Sequence, residues 1–186
     1  MRSPTLRRLM KEFESIRKDI GRARRRGSGG SSPLIEVATG NPDLLELRPW
    51  DADGEDLFEW YAVIKGPKGG NYEGGIFELT ILIPPTYPSK PPTMRFKTKI
   101  WHPNISWKTG EICLDVLASQ WSPAWQLSSA CTAVIALLDS PEPDSPLNVD
   151  AATVYRTGDQ VAYGSMCSMY TRLYAADVPA TIAEGL

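Results

Sequence analysis

Five strand-like stretches, 34–39, 44–50, 57–64, 76–83 and 94–97, follow one another with only short, turn-rich links between them. A link such as Gly66-Pro67-Lys68-Gly69-Gly70-Asn71 can close a hairpin but is too short for a parallel crossover, which takes a dozen or more residues. Three or four of these strands are therefore expected to pair in order as an antiparallel meander, with helices covering one face of the sheet.

The helices are legible on either side. Ser3-Pro4 makes a cap and first helical position, after which Leu6, Leu9, Met10, Phe13, Ile16 and Ile20 recur at helical spacing. Residues 127–139 carry Ala, Val, Ile and Leu on most faces, the pattern of a buried central helix packed on a sheet. Asn148 can start a short helix to Arg156, and Thr157 with Gln160 resembles a capping box for a last helix ending near Ala176. The fold class is thus α+β: an N-terminal helix, a four-stranded antiparallel meander, a central helix and two C-terminal helices. At 186 residues the chain reads as a single domain over 1–176. An Arg/Gly/Ser-rich segment, 21–33, reads as a flexible linker inserted within that domain, and 177–186 as a C-terminal tail.

The chemistry concentrates in WHPNISWKTGEICLDVLASQWSP, where His102-Pro103-Asn104 precedes a lone thiol, Cys113. A nucleophilic cysteine usually relies on a neighbouring base or cation, and His102 is the chain's one histidine. Pro103 biases His102 towards an extended backbone, which favours an imidazole that braces the loop over one that meets the thiol. Asn104 offers an uncharged amide donor of the kind that stabilises an oxyanion in acyl transfer; its other reading is a turn residue. A thiol beside an amide, with no base in view, suits acyl exchange between good nucleophiles better than amide hydrolysis.

The succession HPN, GEICLD and WSPAW resembles the active-site segment of ubiquitin-conjugating enzymes. The run YEGGIFELTILIPPTYPSKPP resembles that family's strand and proline-rich loop, and LFEWYAVIKGP its first core strand. The resemblance spans most of 57–175, and its KTGEICLD run is most similar to the peroxisomal branch. It implies that Cys113 carries the carboxyl terminus of ubiquitin as a thioester, received from an activating enzyme. No cofactor is implied, ATP being consumed by the activating enzyme. Asn104 would steady the oxyanion or hold the active-site loop, His102, Pro103 and Leu114 would support that loop, and Asp115 follows the thiol as the pattern expects. Arg7, Arg8 and Lys11 on the first helix, with Ser89 and Ser122-Pro123-Ala124, align with surfaces for the activating enzyme and a RING-type ligase.

Three departures from the family pattern stand out. The loop 105–112 holds one residue more than the common spacing. Pro143-Asp144-Ser145-Pro146-Leu147 keeps one acid of the usual pair at Asp144 and replaces the other with Ser145. A neutral hydroxyl activates lysine poorly, whereas a thiol acceptor needs less help, its reference pKa being about 8.5 against about 10.4 for lysine; a shift towards cysteine acceptors follows. Ser89 stands where a bulkier apolar residue favours ligase contact.

Composition sets further bounds. Lys and Arg number 20 against 22 Asp and Glu, so no global charge argues for nucleic acid. Three cysteines without paired spacing fit a reducing compartment. Cys131 and Cys167 read as small core hydrophobes, and no metal-ligand spacing is present. The longest apolar run, 130–138, is too short to span a bilayer. The branch resemblance implies a cytoplasmic enzyme, peripheral on the cytosolic face of the peroxisomal membrane through a membrane-anchored peroxin, acting on the cycling import receptor. The alternatives are a general cytosolic ubiquitin or ubiquitin-like conjugating enzyme, a non-catalytic ubiquitin-binding scaffold of the same fold, and a cysteine hydrolase with His102 as base.

Overall fold

The computed structural model describes residues 3–25, 40–51, 56–177 and 179. The expected strand at 34–39, most of the expected linker and nearly all of the 177–186 tail lie outside the described residues. Helix α1 spans Pro4–Arg25 and is followed by strands β1 (Leu44–Pro49), β2 (Glu59–Lys65), β3 (Ile76–Leu82) and β4 (Thr93–Phe96). Helices α2 (Leu114–Gln120), α3 (Leu127–Asp139), α4 (Val149–Arg156) and α5 (Gln160–Tyr174) complete the chain. The four strands form one antiparallel sheet in sequence order, the meander that the short links require.

Register sets which face is buried. Leu47, Ala62, Leu79 and Phe96 stand opposite one another across the four strands, and all four are buried. Since side chains alternate along a strand, their neighbours line the other face. There Arg48 lies over the Tyr61 ring at 4.7 Å and Lys97 over Trp50 at 5.0 Å. The buried face takes α3, whose Ala130, Cys131, Val134, Leu137 and Leu138 are enclosed and which packs on β1 and β2.

Three boundaries differ from the sequence reading. Helix α1 continues to Arg25, so residues 21–25 of the expected linker are helical; Ala and Arg are good helix formers and carry the helix past Gly21. Helix α5 is capped by Asp159, whose carboxylate accepts from Ala162 N at 2.9 Å. Thr157 instead donates to the Val154 carbonyl at 2.7 Å and helps to close α4. Helix α2, which the sequence reading did not assign, begins immediately after Cys113 and spans only 7 residues, too few for an apolar periodicity to show.

Helix α1 docks through a buried carboxylate. Glu12 Oε1 accepts from Arg8 Nε at 2.6 Å and from the Tyr87 hydroxyl at 2.8 Å, while Oε2 accepts from Leu127 N at 2.9 Å. Arg8 Nη2 also donates to the Trp125 carbonyl at 2.8 Å. Thr5 donates to the Pro85 and Tyr87 carbonyls. One side chain thereby joins α1 to both the 84–90 loop and the 121–127 loop. Burial first, and the Glu12 charge second, push the Tyr87 phenol above its usual range, so it stays a donor. Replacing Glu12 with Ala strands Arg8, Tyr87 and Leu127 N together. The loss expected in urea unfolding is about 3 kcal/mol, far more than the few tenths of an exposed i,i+4 pair.

Candidate active site

The site is two loops tied together. The first runs from the end of β4 through His102-Pro103-Asn104 to Cys113; the second joins α3 to α4. Asn104 is fully buried and spends its side chain on the second loop. Its Nδ2 donates to the Glu142 carbonyl at 2.7 Å and the Ser145 carbonyl at 3.0 Å, and its Oδ1 accepts from Glu142 N at 2.8 Å. Pro103 O adds two more links, accepting from Leu147 N at 2.9 Å and Asn148 N at 3.0 Å. A buried amide has two donors to place, and both are placed here.

His102 is also fully buried. Its Nδ1 accepts from Asn104 N at 3.0 Å, and Nε2 lies 3.0 Å from the Leu137 carbonyl. One nitrogen accepts and the other faces an acceptor, so the ring is neutral with its hydrogen on Nε2. Burial lowers its pKa to about 4, offset in part by the Leu137 hydrogen bond. With Nδ1 and Nε2 both engaged, His102 braces the loop and does not serve Cys113 as base. The residue before it is anchored too: Tyr72, buried, donates to the Trp101 carbonyl at 2.8 Å.

Cys113 closes the first loop, its N donating to Asn104 O at 2.9 Å. Between them the chain folds back as a hairpin: Ile105 bridges Ile112, and Gly110 N donates to Ser106 O at 2.8 Å. The hairpin turns at 107–110. There Gly110 adopts φ +72°, and a Cβ on it would stand 1.9 Å from the Phe96 carbonyl, so only glycine fits. The bonds at the base hold Asn104 and Cys113 adjacent.

A thiol at the junction of this hairpin and a helix start, its loop pinned by an asparagine, with a meander sheet behind, is an arrangement that known proteins share. A family model described as ubiquitin-conjugating enzyme matches residues 35–171. The chain belongs to the ubiquitin-conjugating enzymes. It is 55% identical over 168 residues to Protein PEROXIN-4 of Arabidopsis thaliana, covering 90% of this chain and 93% of that one. It is 51% identical over 134 residues to the Dictyostelium discoideum ubiquitin-conjugating enzyme E2 pex4, covering 72% and 90%. The crystal structure of the H. polymorpha ubiquitin-conjugating enzyme Pex4p, in complex with the soluble domain of Pex22p, superposes with a TM-score of 0.77 at 34% identity, covering 94% of this chain and all of that one. As a ubiquitin-conjugating enzyme the chain is a transferase that moves an acyl group through a cysteine thioester. Both of these relatives, at 55% and 51% identity, carry peroxin-4 names.

The other residues picked out in sequence fall into two groups. Asp115 is exposed in the first turn of α2, Asp144 is exposed and Ser145 half-buried on the pinned loop. Leu114 opens α2, and its side chain lies outside the described residues. Arg7, Lys11, Ser89, Pro123 and Ala124 are exposed, and Ser122 is half-buried. Arg8 differs from its expected outward role, being held by Glu12 and Trp125 O. The two loops that carry Ser89 and Ser122 are joined by Trp121, whose Nε1 donates to Pro88 O at 2.8 Å. All three cysteines are buried, and burial pushes the Cys131 thiol to about 12; Cys113 differs in lying on the pinned loop at the start of α2. Sequence reasoning missed Glu12 and Tyr72; the i,i+4 spacing of Arg8 and Glu12 was the available signal for the first, and nothing local marked the second. Among the described residues no His/Cys/Asp/Glu cluster could hold a metal and no helix is long and apolar enough to cross a membrane.

His102 gives the site a pH signature. Its folded pKa is about 4 against about 6.5 unfolded, so below pH 6.5 the unfolded chain binds a proton that the folded chain refuses. Stability from this group is complete above pH 6.5 and falls as pH drops towards 4, by about 3 kcal/mol in all. Urea unfolding between pH 7 and 4 should show this slope, and His102→Asn should remove it.

Proposed function

We propose that this chain is the ubiquitin-conjugating enzyme of peroxisomal receptor recycling, with residues 1–176 as one catalytic domain. Cys113 Sγ attacks the thioester carbonyl presented by the activating enzyme, the activating enzyme's thiol leaves, and ubiquitin remains on Cys113. An acceptor nucleophile on the cycling import receptor then attacks that thioester and releases the Cys113 thiolate. The observation that carries this reading is the pinned pair of loops around Cys113 in a chain 55% identical to Protein PEROXIN-4.

The roles follow from position. Asn104 acts mainly by holding the 142–145 loop, because both its amide hydrogens are committed there; an oxyanion role would require it to release one. Asp144 orients the incoming nucleophile, and Ser145, neutral where a second acid is usual, lowers the rate towards lysine more than towards cysteine. Asp115 adds surface charge beside the thioester. Arg7 and Lys11 on α1 form the contact face for the activating enzyme, and Ser89 with Ser122-Pro123-Ala124 the face for a RING-type ligase. The solved H. polymorpha relative binds the soluble domain of Pex22p, which supports a membrane-anchored peroxin as recruiter and a cytoplasmic enzyme at the peroxisomal membrane. ATP is spent by the activating enzyme, and no cofactor enters the transfer.

Incubation with activating enzyme, ATP and ubiquitin should give a reductant-sensitive adduct that Cys113→Ala abolishes. A non-catalytic scaffold would give none, and a hydrolase would turn over a preformed ubiquitin ester without ATP. From the charged enzyme, free cysteine should discharge ubiquitin faster than free lysine. Ser145→Asp should raise lysine discharge about tenfold, a modest share of what a positioned base supplies; fast lysine discharge that is indifferent to Ser145 contradicts the acceptor preference. Isolated peroxisomal membranes should retain the chain, and their failure to do so removes the recruitment reading while leaving the chemistry.

A further inference from the structure

Positive charge is unevenly spread along the chain. Residues 1–26 hold ten Lys or Arg against three Asp or Glu, whereas the whole chain has 20 against 22. The remainder therefore carries ten cations against 19 acids, and the positive excess lies on α1 and just beyond its end. Of the three acids, Glu12 is buried and committed to Arg8, Tyr87 and Leu127 N.

Helical register sorts these cations. At 3.6 residues per turn, Arg7, Lys11, Lys18, Arg22 and Arg25 fall within about 60° of one another around the helix. This strip lies opposite the side that carries Leu6, Leu9, Phe13 and Ile16, which are buried or packed against the domain core. Arg7, Lys11 and Lys18 are exposed, and among the described residues none of them joins an ion pair. Arg22 and Arg25 keep the same register on helical backbone. From Arg7 to Arg25 the strip runs about 27 Å at 1.5 Å per residue. The other positions it includes are Glu14 and Ser15, both exposed.

The strip is a straight row of long cationic side chains with no aromatic or apolar residue among them. A protein partner is usually gripped by an apolar or aromatic centre with charges at its rim, and α1 has spent its apolar side on the domain core. A row of this kind complements a plane of repeated negative charge, and clusters of four to eight Lys or Arg on an amphipathic helix suit anionic lipid. We propose that the polar face of α1 rests on an anionic phospholipid bilayer, held by Lys18, Arg22 and Arg25 with Arg7 and Lys11 in the same row. The helix lies on the headgroups without inserting, because its apolar side is enclosed by the domain. This contact is independent of the thioester transfer and of a peroxin recruiter, neither of which it needs.

Flotation of the purified full chain with phosphatidylcholine vesicles, with and without phosphatidylserine, tests the proposal. The chain should float with the phosphatidylserine vesicles and not with phosphatidylcholine alone. Raising salt from about 0.1 M to about 1 M, which shortens the screening length from about 10 Å to about 3 Å, should release it. Lys18→Gln, Arg22→Gln and Arg25→Gln combined should weaken binding about a hundredfold, at about fivefold per cation, with the urea midpoint unchanged. Lys18→Arg alone should bind as the unsubstituted chain does. Lys68→Gln, Lys90→Gln and Lys108→Gln combined remove the same charge from other exposed positions and should leave binding intact. Absence of flotation at low salt overturns the proposal. An equal loss in both triple variants also overturns it, by making net charge and not the α1 face responsible. A third contrary result is a chain that ignores vesicles but loses charging by the activating enzyme in the α1 triple variant, which assigns the face to an acidic protein surface.

Discussion

The site depends on one buried amide. Asn104 contributes three hydrogen bonds across 38 to 41 positions of chain, and each spans the gap between the loop that carries Cys113 and the loop that carries Asp144 and Ser145. Loops carry unsatisfied backbone groups and hold position only when those groups find partners. Glu142 N, Glu142 O and Ser145 O all find theirs on this single side chain. Without it, Glu142 N and Ser145 O lose this partner and Glu142 O keeps only Ser145 N, and the distance between thioester and acceptor side is no longer fixed.

The same device recurs around the domain. Tyr72 anchors the Trp101 carbonyl just upstream of His102, His102 reaches back to Leu137 in the central helix, and Glu12 ties α1 to the two loops proposed to face a ligase. Each is a buried polar side chain satisfied by partners on a different segment. Such groups are costly to bury alone and stabilise only when fully paired. The apolar core between sheet and α3 fixes the elements, and these polar ties fix the loops that perform the chemistry.

Much of the frame was readable from sequence because the signals were local. Short turn-rich links demanded a meander, and apolar residues at 127–139 gave α3 to the residue. Pro103 already argued against His102 as base, and the structure supplies the partners that hold its ring. What escaped was nonlocal. Whether Asn104 faces an oxyanion or a loop depends on carbonyls some forty residues away, and no spacing rule reaches that far. The i,i+4 spacing of Arg8 and Glu12 marks a pair but not its burial, which only Tyr87 and Leu127, distant in sequence, disclose. Helix α2 escaped for a local reason: at 7 residues it is too short to show an apolar periodicity.

The claim that Asn104 works as a loop anchor is most directly tested by hydrogen–deuterium exchange of the uncharged Asn104→Ala chain. The account predicts that amides in the 142–148 segment exchange at least about tenfold faster than in the unsubstituted chain, since local opening there loses bonds worth more than 1.4 kcal/mol. Protection should persist in the sheet and in α3. Unchanged protection at 142–148, together with a lost capacity to discharge ubiquitin, would contradict it and return Asn104 to the role of oxyanion donor.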